Sequence, residues 1–439
     1  TPLQNRIGEL FSLVRFLQVD PQAYYECAEC DCKQLDFSIF HGHCKHCDHT
    51  AMQHYSFFNK KIVTPIQGFG YVAEGKLAML RLQNDLLRHS IYTQSKAQFN
   101  TYVSAGTLLN NYAHIFDLLI RLRQAVDHPY LVIYSKSNPA LQVPTPDVPA
   151  RDDLALIGPP PSSSADDPDD GRTCGFCHEP PEQAVESACH HLFCHSCVEE
   201  YVESLLMGAQ ATCPTCNEPL TVDMAATGTA ADTDEDETHH VDQFKARQIG
   251  KGSLLRRLPH LGDFQSSTKI EALMEELHLM QHHDPSAKAI VFSQFVNMLD
   301  LIEHRLRLAG LKCVKLSGGI PMAQRDRLLT EFRDDPTLTV FLISLKAGGV
   351  ALNLTVASHI FLMDPWWNPA AEHQAIDRTH RLGQFKPIRA TRFVIANTIE
   401  ERILKLQEKK QLVFEGTVGS STAALARLTI EDLRFLFSG

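Results

Sequence analysis

The sequence predicts an α/β protein: a parallel, doubly wound sheet accompanied by two cysteine-rich additions, one of them leading into a mostly helical region. Three observations predict it. From residue 268 onward, short apolar runs alternate with segments of helical period. The thirteen cysteines form two tight groups, five between residues 27 and 47 and seven between 174 and 216, with Cys313 apart. Two stretches too poor in apolar residues to fold flank the second group.

The α/β part divides into clear elements. Lys288 to Phe292 reads as a buried strand. Val296, Leu299, Ile302 and Leu306 follow at helical spacing, and Gly310 sits where a helix-ending glycine belongs. Cys313 to Leu316 is the next strand, which makes Cys313 a buried small hydrophobe. Pro321 opens a helix at a tolerated position. Leu338 to Ile343, His359 to Met363 and Ile388 to Ile395 are further strands. Thr398 and Glu401 have capping-box spacing for a last helix. Alternation of this kind gives a parallel sheet whose ligands bind at the carboxyl ends of the strands. Upstream, Leu108, Leu109, Tyr112, Ile115, Phe116, Leu119 and Leu122 form one apolar stripe, which reads as core.

The domain reading follows: 21–60 with the first cysteine group, 61–136 helical, 137–172 linker, 173–222 with the second cysteine group, 223–262 acidic linker, 263–415 the α/β domain, and 416–439 a tail. A chain of 439 residues accommodates roughly three domains. Thr1 in place of an initiator Met predicts that the chain is cut from something longer. The net charge of −11 at first argues against nucleic acid. Twelve of the acids, however, lie in 152–170 and 223–237, and elsewhere 41 basic residues face 40 acidic ones. No apolar run is long enough for a membrane span, and no signal pattern follows Thr1.

Cysteine spacing carries the strongest chemistry. The middle group reads Cys174-x2-Cys177, Cys189-x-His191-x2-Cys194-x2-Cys197 and Cys213-x2-Cys216. Zinc takes four thiolate or imidazole ligands, so eight ligands make two sites. The first group contains Cys27-x2-Cys30 and Cys44-x2-Cys47, which predicts one four-sulfur zinc site. Cys32 is then a spare thiol that could replace Cys30, and His41, His43, His46, His49 and His54 are surface or supporting groups.

The middle group resembles the RING domain. That resemblance implies interleaved sites, with Cys174, Cys177, Cys194 and Cys197 on one zinc and Cys189, His191, Cys213 and Cys216 on the other. It also implies a ubiquitin-conjugating enzyme as partner, contacted by Phe176 and Pro214. Asn217 stands where many ligases carry a basic residue. A purely structural zinc module is the plain alternative.

In the α/β domain, Ser344 to Gly349 follows a strand and suits backbone approach to phosphate or DNA. Asp364-Pro365-Trp366-Trp367-Asn368-Pro369 follows the next. Arg378 and Arg381, three apart, share a helix face and can stabilise phosphoryl charge, or form a surface ion-pair cluster. Together with Val291-Phe292-Ser293-Gln294-Phe295 and the Asp377-Arg378-x-His380-Arg381-x-Gly383-Gln384 run, these motifs resemble, in order, the second RecA-like lobe of Swi/Snf-type DNA-dependent ATPases. Residues 1–20 resemble the end of the first lobe, and Leu122-Arg123-Gln124 with His128-Pro129 resembles the stretch before the second. The embedded RING, the zinc cluster with Phe57-Phe58-Asn59, and Leu428 to Leu433 narrow the resemblance to fungal nucleotide-excision-repair members of global-genome repair.

The resemblance implies an ATP-driven translocase on double-stranded DNA with ubiquitin ligase activity, working in the nucleus with ubiquitin, a protein substrate and DNA-repair complex subunits. ATP and Mg would bind between two lobes, with Arg378, Arg381 and Gln374 catalytic and Gly348, Gly349 and Asp377 at the nucleotide. Ser293, Lys346 and Trp367 would contact DNA. The first lobe's phosphate loop and acidic motif are absent from the sequence. Gly70-x4-Gly75-Lys76 is no substitute, since Leu77 replaces the needed Ser or Thr. The chain alone is therefore expected not to hydrolyse ATP, and the run from Leu87-Arg88-His89 into Ser90 is expected to lack a segment. Two further readings are a ubiquitin ligase or scaffold with a vestigial motor lobe, and a zinc-stabilised binding module without activity.

Overall fold

The computed structural model describes residues 11, 14, 15, 19, 21–35, 39–40, 42–70, 73–135, 173–222, 253–258, 264–318, 320, 322–346, 354–368, 370–377, 387–416 and 427–438. The chain forms two compact units, Thr1–Ser95 and Lys96–Gly439.

In the first unit, five short strands, β1 (Tyr25–Cys27), β2 (Lys33–Gln34), β3 (Ile39–Phe40), β4 (His43–Cys44) and β5 (His54–Ser56), carry the first cysteine group. The order β2-β1-β5 makes one antiparallel sheet, and β3 pairs with β4. Strands of two or three residues bury too little to stand alone, which leaves the cross-linking to the side chains between them. Helix α1 (Thr64–Phe69), with Pro65 in its first turn, and α2 (Ala73–Ser104) follow. Phe58 and Ile62 pack with Val14, Val19, Ala23, Ala78 and Leu82. A helix, Thr64–Phe69, and not a strand precedes Gly70, so the strand–loop–helix context of a phosphate loop is missing there.

The second unit holds α3 (Tyr112–Asp127) and α4 (Tyr130–Ile133), then the zinc-type module with β6 (Ala184–Glu186), β7 (Leu192–Cys194) and α5 (His195–Ser204). The α/β domain follows as α6 (Thr268–His283), β8 (Ala289–Ser293), α7 (Val296–Leu308), β9 (Cys313–Leu316), α8 (Met322–Asp334), β10 (Val340–Ser344), β11 (His359–Leu362), α9 (Ala370–Asp377), β12 (Arg389–Arg392) and α10 (Ile399–Gly416). Helix α11 (Ile430–Phe437) closes the chain and pairs with α10. The sheet order is β12-β11-β8-β10-β9, every pair parallel, with Ile290 opposite both Phe341 and Ile360. Its core includes Ile290, Phe292, Phe341, Ile343, Ile360 and Leu362. These central strands are buried along their whole length, as a sheet covered on both faces requires.

Four local expectations change. Ile388 to Ile395 shortens to Arg389–Arg392, a mostly exposed edge strand. Cys313 is half-buried, because β9 is the opposite edge. Leu109 is 37% exposed, since it falls in the turn before α3 rather than on its buried stripe. The cap of α10 is shifted: Thr398 Oγ1 accepts from Glu400 N–H, but Glu401 accepts from Asn397 N–H at 2.9 Å. Asn397 has φ +59°, a left-handed conformation Asn tolerates, and this turns its own N–H to the carboxylate. Gly310, at φ +76°, ends α7 as expected.

Candidate functional site

The second cysteine group folds around the β6–β7 hairpin, where Val185 faces Phe193. Its donors separate into Cys174, Cys177, Cys194, Cys197 and Cys189, His191, Cys213, Cys216, the donor atoms of each set lying within 4.8 Å of one another. This is the interleaving that the RING resemblance implies, and each set suits tetrahedral zinc. Each Cys-x2-Cys turn is closed by the backbone. His178 N–H donates to Cys174 O and Asn217 N–H to Cys213 O, both at 2.9 Å. In return Cys174 N–H reaches Glu179 O at 2.9 Å and Cys213 N–H reaches Glu218 O at 2.8 Å. His178 and Asn217, at φ +58° and +61°, are left-handed, which these turns require.

Phe176 does not face outward. It is 0% exposed and packs against Phe116, Tyr201 and Phe193, so helix α3 covers the ring expected to meet a conjugating enzyme. The physical reason is the apolar stripe of α3, which needs an aromatic surface to bury itself. Pro214 stays half-exposed. Gln124 of α3 donates to Cys177 O at 2.8 Å, and Tyr112 donates to Ser204 O at 2.7 Å, so α3 holds the module at both ends.

The same module sits on the carboxyl edge of the sheet. Glu179 accepts from the Val296 and Asn297 N–H groups at 2.8 and 3.1 Å, satisfying the amino end of α7. Glu182 accepts from Ser344 Oγ at 2.6 Å, at the end of β10, and from Gly318 N–H. A Cβ on Gly318 would stand 2.9 Å from Glu182 Cβ, so the approach needs glycine. Gln294 donates to Glu200 Oε1 at 3.3 Å. Lys346 Nζ lies 3.9 Å from Cys194 Sγ. A zinc held by these four thiolates would carry a charge of about −2, which the Lys346 ammonium would offset in part.

Three residues expected to contact DNA are placed as follows. Lys346 points to the cysteines. Ser293 is 0% exposed and its hydroxyl donates to Phe295 O. Trp367 is 1% exposed, stacked on Trp366 and edge-on to Phe116, and thus belongs to the core. Asp377 is exposed at the end of α9. Gln374 lies on α9, but its side chain, together with Gly348, Gly349, Arg378 and Arg381, lies outside the described residues.

Buried charge binds the edge together, and sequence reading missed it. Arg123 donates to Pro365 O at 3.1 Å, lies 3.6 Å from Asp364 and covers the Trp366 ring at 4.0 Å. Asp364 also accepts from Gln294 N–H at 2.8 Å. Lys269 Nζ reaches Asp127 and Met363 O at 2.6 Å each, and Glu400 besides. The one available signal was that Leu122-Arg123-Gln124 places a cation and an amide inside an apolar stripe.

In the first unit, the donor atoms that come within 4.8 Å of one another form two sets, Cys27, Cys30, Cys47, His49 and Cys32, Cys44, Cys47, His54, rather than the one four-sulfur set expected. Cys32, His49 and His54 thus stand among the candidate donors. Cys44 is supplied by β4, His54 by β5 and Cys32 by the turn between β1 and β2, three separate short elements whose donors converge.

Comparison with known proteins agrees with the geometry. "Helicase conserved C-terminal domain" matches residues 268–383, and "Zinc finger, C3HC4 type (RING finger)" matches 174–216. The ATP-dependent helicase rhp16 of Schizosaccharomyces pombe is 41% identical over 100% of this chain and 51% of its own length. DNA repair protein RAD5A of Arabidopsis thaliana is 30% identical over 100% of this chain and 42% of its own. The chain thus spans about half the length of the curated relatives it matches. The solved C-terminal part of the Fun30 ATPase domain is 34% identical, covering 32% of this chain and 46% of that one, at a TM-score of 0.31. With a RING finger ahead of a helicase C-terminal domain, and such relatives aligned along its whole length, the chain is a homologue of the Rad5/rhp16-type Swi/Snf ATP-dependent helicases.

Proposed function

We propose that the protein is an ATP-dependent translocase on double-stranded DNA with RING ubiquitin ligase activity, acting in nuclear nucleotide excision repair. The observation that carries this reading is the seating of the RING on the carboxyl edge of the helicase sheet through Glu179, Glu182 and Lys346. That edge is where a parallel sheet binds its ligands. The names of the relatives, a helicase and a DNA repair protein, support it. Arg378, Arg381 and Gln374 act at the phosphoryl group, Gly348, Gly349 and Asp377 at the nucleotide, and Mg accompanies the ATP. Two zinc ions hold the RING. Pro214 meets the ubiquitin-conjugating enzyme, and ubiquitin passes to a protein substrate in a repair complex. No described helix is long and apolar enough to cross a membrane.

Autoubiquitination with a panel of conjugating enzymes, against Cys174→Ala, tests the ligase half; equal inactivity of both chains overturns it. DNA-stimulated ATP hydrolysis of the protein joined to a first RecA-like lobe, against Arg381→Ala, tests the motor half. A second reading, a ligase or scaffold with a vestigial motor lobe, is favoured by the burial of Ser293 and Trp367. It predicts ubiquitin transfer that is indifferent to Arg381→Ala.

A further inference from the structure

We propose that the first unit holds two zinc ions in one binuclear cluster, with the Cys47 thiolate bridging them and seven side chains as ligands. Cys27, Cys30 and His49 complete one tetrahedron; Cys32, Cys44 and His54 complete the other.

The distances fit tetrahedral edges. Zn–S of about 2.3 Å and Zn–N of about 2.0–2.1 Å place a sulfur and a nitrogen ligand about 3.6 Å apart. His49 Nδ1 is 3.4 Å from Cys27 Sγ and 3.3 Å from Cys30 Sγ. His54 Nε2 is 3.3 Å from Cys47 Sγ, and the Cys32 and Cys44 sulfurs are 4.0 Å apart. Both sets are drawn together in the same structure, although only Cys47 belongs to both. A single ion would hold one set and give the other no reason to converge.

The backbone repeats the RING's zinc turns. Asp48 N–H donates to Cys44 O at 3.0 Å, and Cys44 N–H to His49 O at 2.9 Å, the same pair of bonds that closes Cys174–Glu179 and Cys213–Glu218. Asp48, at φ +59°, takes the left-handed place of His178 and Asn217. Cys27 N–H reaches Cys32 O at 3.1 Å in the same spacing.

The surroundings prepare both sets as ligands. His54 Nδ1 lies 3.0 Å from Thr50 O, a carbonyl that accepts its proton and leaves Nε2 a lone pair toward the cysteines. Gln34 Nε2 donates to Cys32 Sγ at 3.7 Å, and His46 N–H to Cys44 Sγ at 3.5 Å. Charge also favours two ions. Five thiolates and two neutral imidazoles around two zinc ions carry about −1, whereas one ion would leave about −3.

Metal content of the full 439-residue chain decides the matter. Plasma mass spectrometry of zinc-loaded protein should give four zinc ions per chain, two from the RING, and three for Cys32→Ser and for His54→Ala. Cadmium-113 NMR of the substituted chain should show four resonances, two of them scalar-coupled through the shared sulfur. Three ions in the wild type, or no loss on either substitution, overturns the second ion. Four uncoupled resonances overturn the bridge, and the wild-type ion count and the coupling are both read on the unmutated, folded chain.

Discussion

Lys346 Nζ stands 3.9 Å from Cys194 Sγ, so a lysine delivered just past the end of a helicase strand would partly offset the negative charge of a four-thiolate zinc site in the RING. Lys346→Met removes this counter-charge while keeping the side-chain length. Loss of a partner beside a metal ligand typically costs 10–100-fold in metal affinity. Zinc release to a chelating dye should speed up by about tenfold for one of the RING ions and stay unchanged for the rest.

Phe176 and Pro214 separate packing from contact. Phe176→Ala opens a cavity among Phe116, Tyr201 and Phe193 and should destabilise the second unit by about 3–5 kcal/mol in chemical denaturation. Pro214→Ala, half-exposed, should change stability by less than about 1 kcal/mol. Its effect should appear instead in ubiquitin transfer.

His128 gives the second unit an acid-sensitive joint. Its Nε2 lies 2.9 Å from Gln265 O, which takes a proton, and its Nδ1 accepts from Tyr130 N–H at 3.1 Å, so the ring is neutral. Burial pushes the imidazole down to about 4. The folded pKa lies below the unfolded one, so the unfolded chain binds more protons between them. Stability from this group is complete above about pH 6.5 and is lost as the pH falls toward 4. The loss approaches about 3 kcal/mol. Melting temperatures at pH 7.5 and 4.5 should converge in His128→Asn relative to wild type.

Lys269 is enclosed with two carboxylates, and all three are at most 1% exposed. Lys269→Met leaves Asp127 and Glu400 as a buried anion pair and should cost about 3–5 kcal/mol. The triple change Lys269→Met, Asp127→Leu, Glu400→Leu should recover much of it. Urea denaturation of the two proteins reads the difference.

The sheet was legible because its central strands are unbroken apolar runs, and β8, β10 and β11 fall within one or two residues of their expected ends. The RING was legible because metal spacing is local: Cys-x2-Cys turns determine their own backbone. The first cluster was legible only as a cluster. Which donors share an ion depends on strands of two or three residues, too short to leave a periodic signal, and so His54 read as a surface group. The burial of Phe176, Ser293 and Trp367 was not legible for another reason. Each stands at its motif position, but burial depends on what packs above it, and nothing local in these motifs specifies α3 or the RING.

The close approach at Gly318 and Glu182 has a kinetic meaning. The RING and the lobe are parts of one chain within the second unit, so the docking is intramolecular. Covalent connection turns the association of two surfaces into an intramolecular event. Removing the Glu182 contact would therefore not release a free RING. It would set up a docked–undocked equilibrium whose position is independent of protein concentration, and a partner that prefers the undocked form would draw on that equilibrium without any change in the zinc sites.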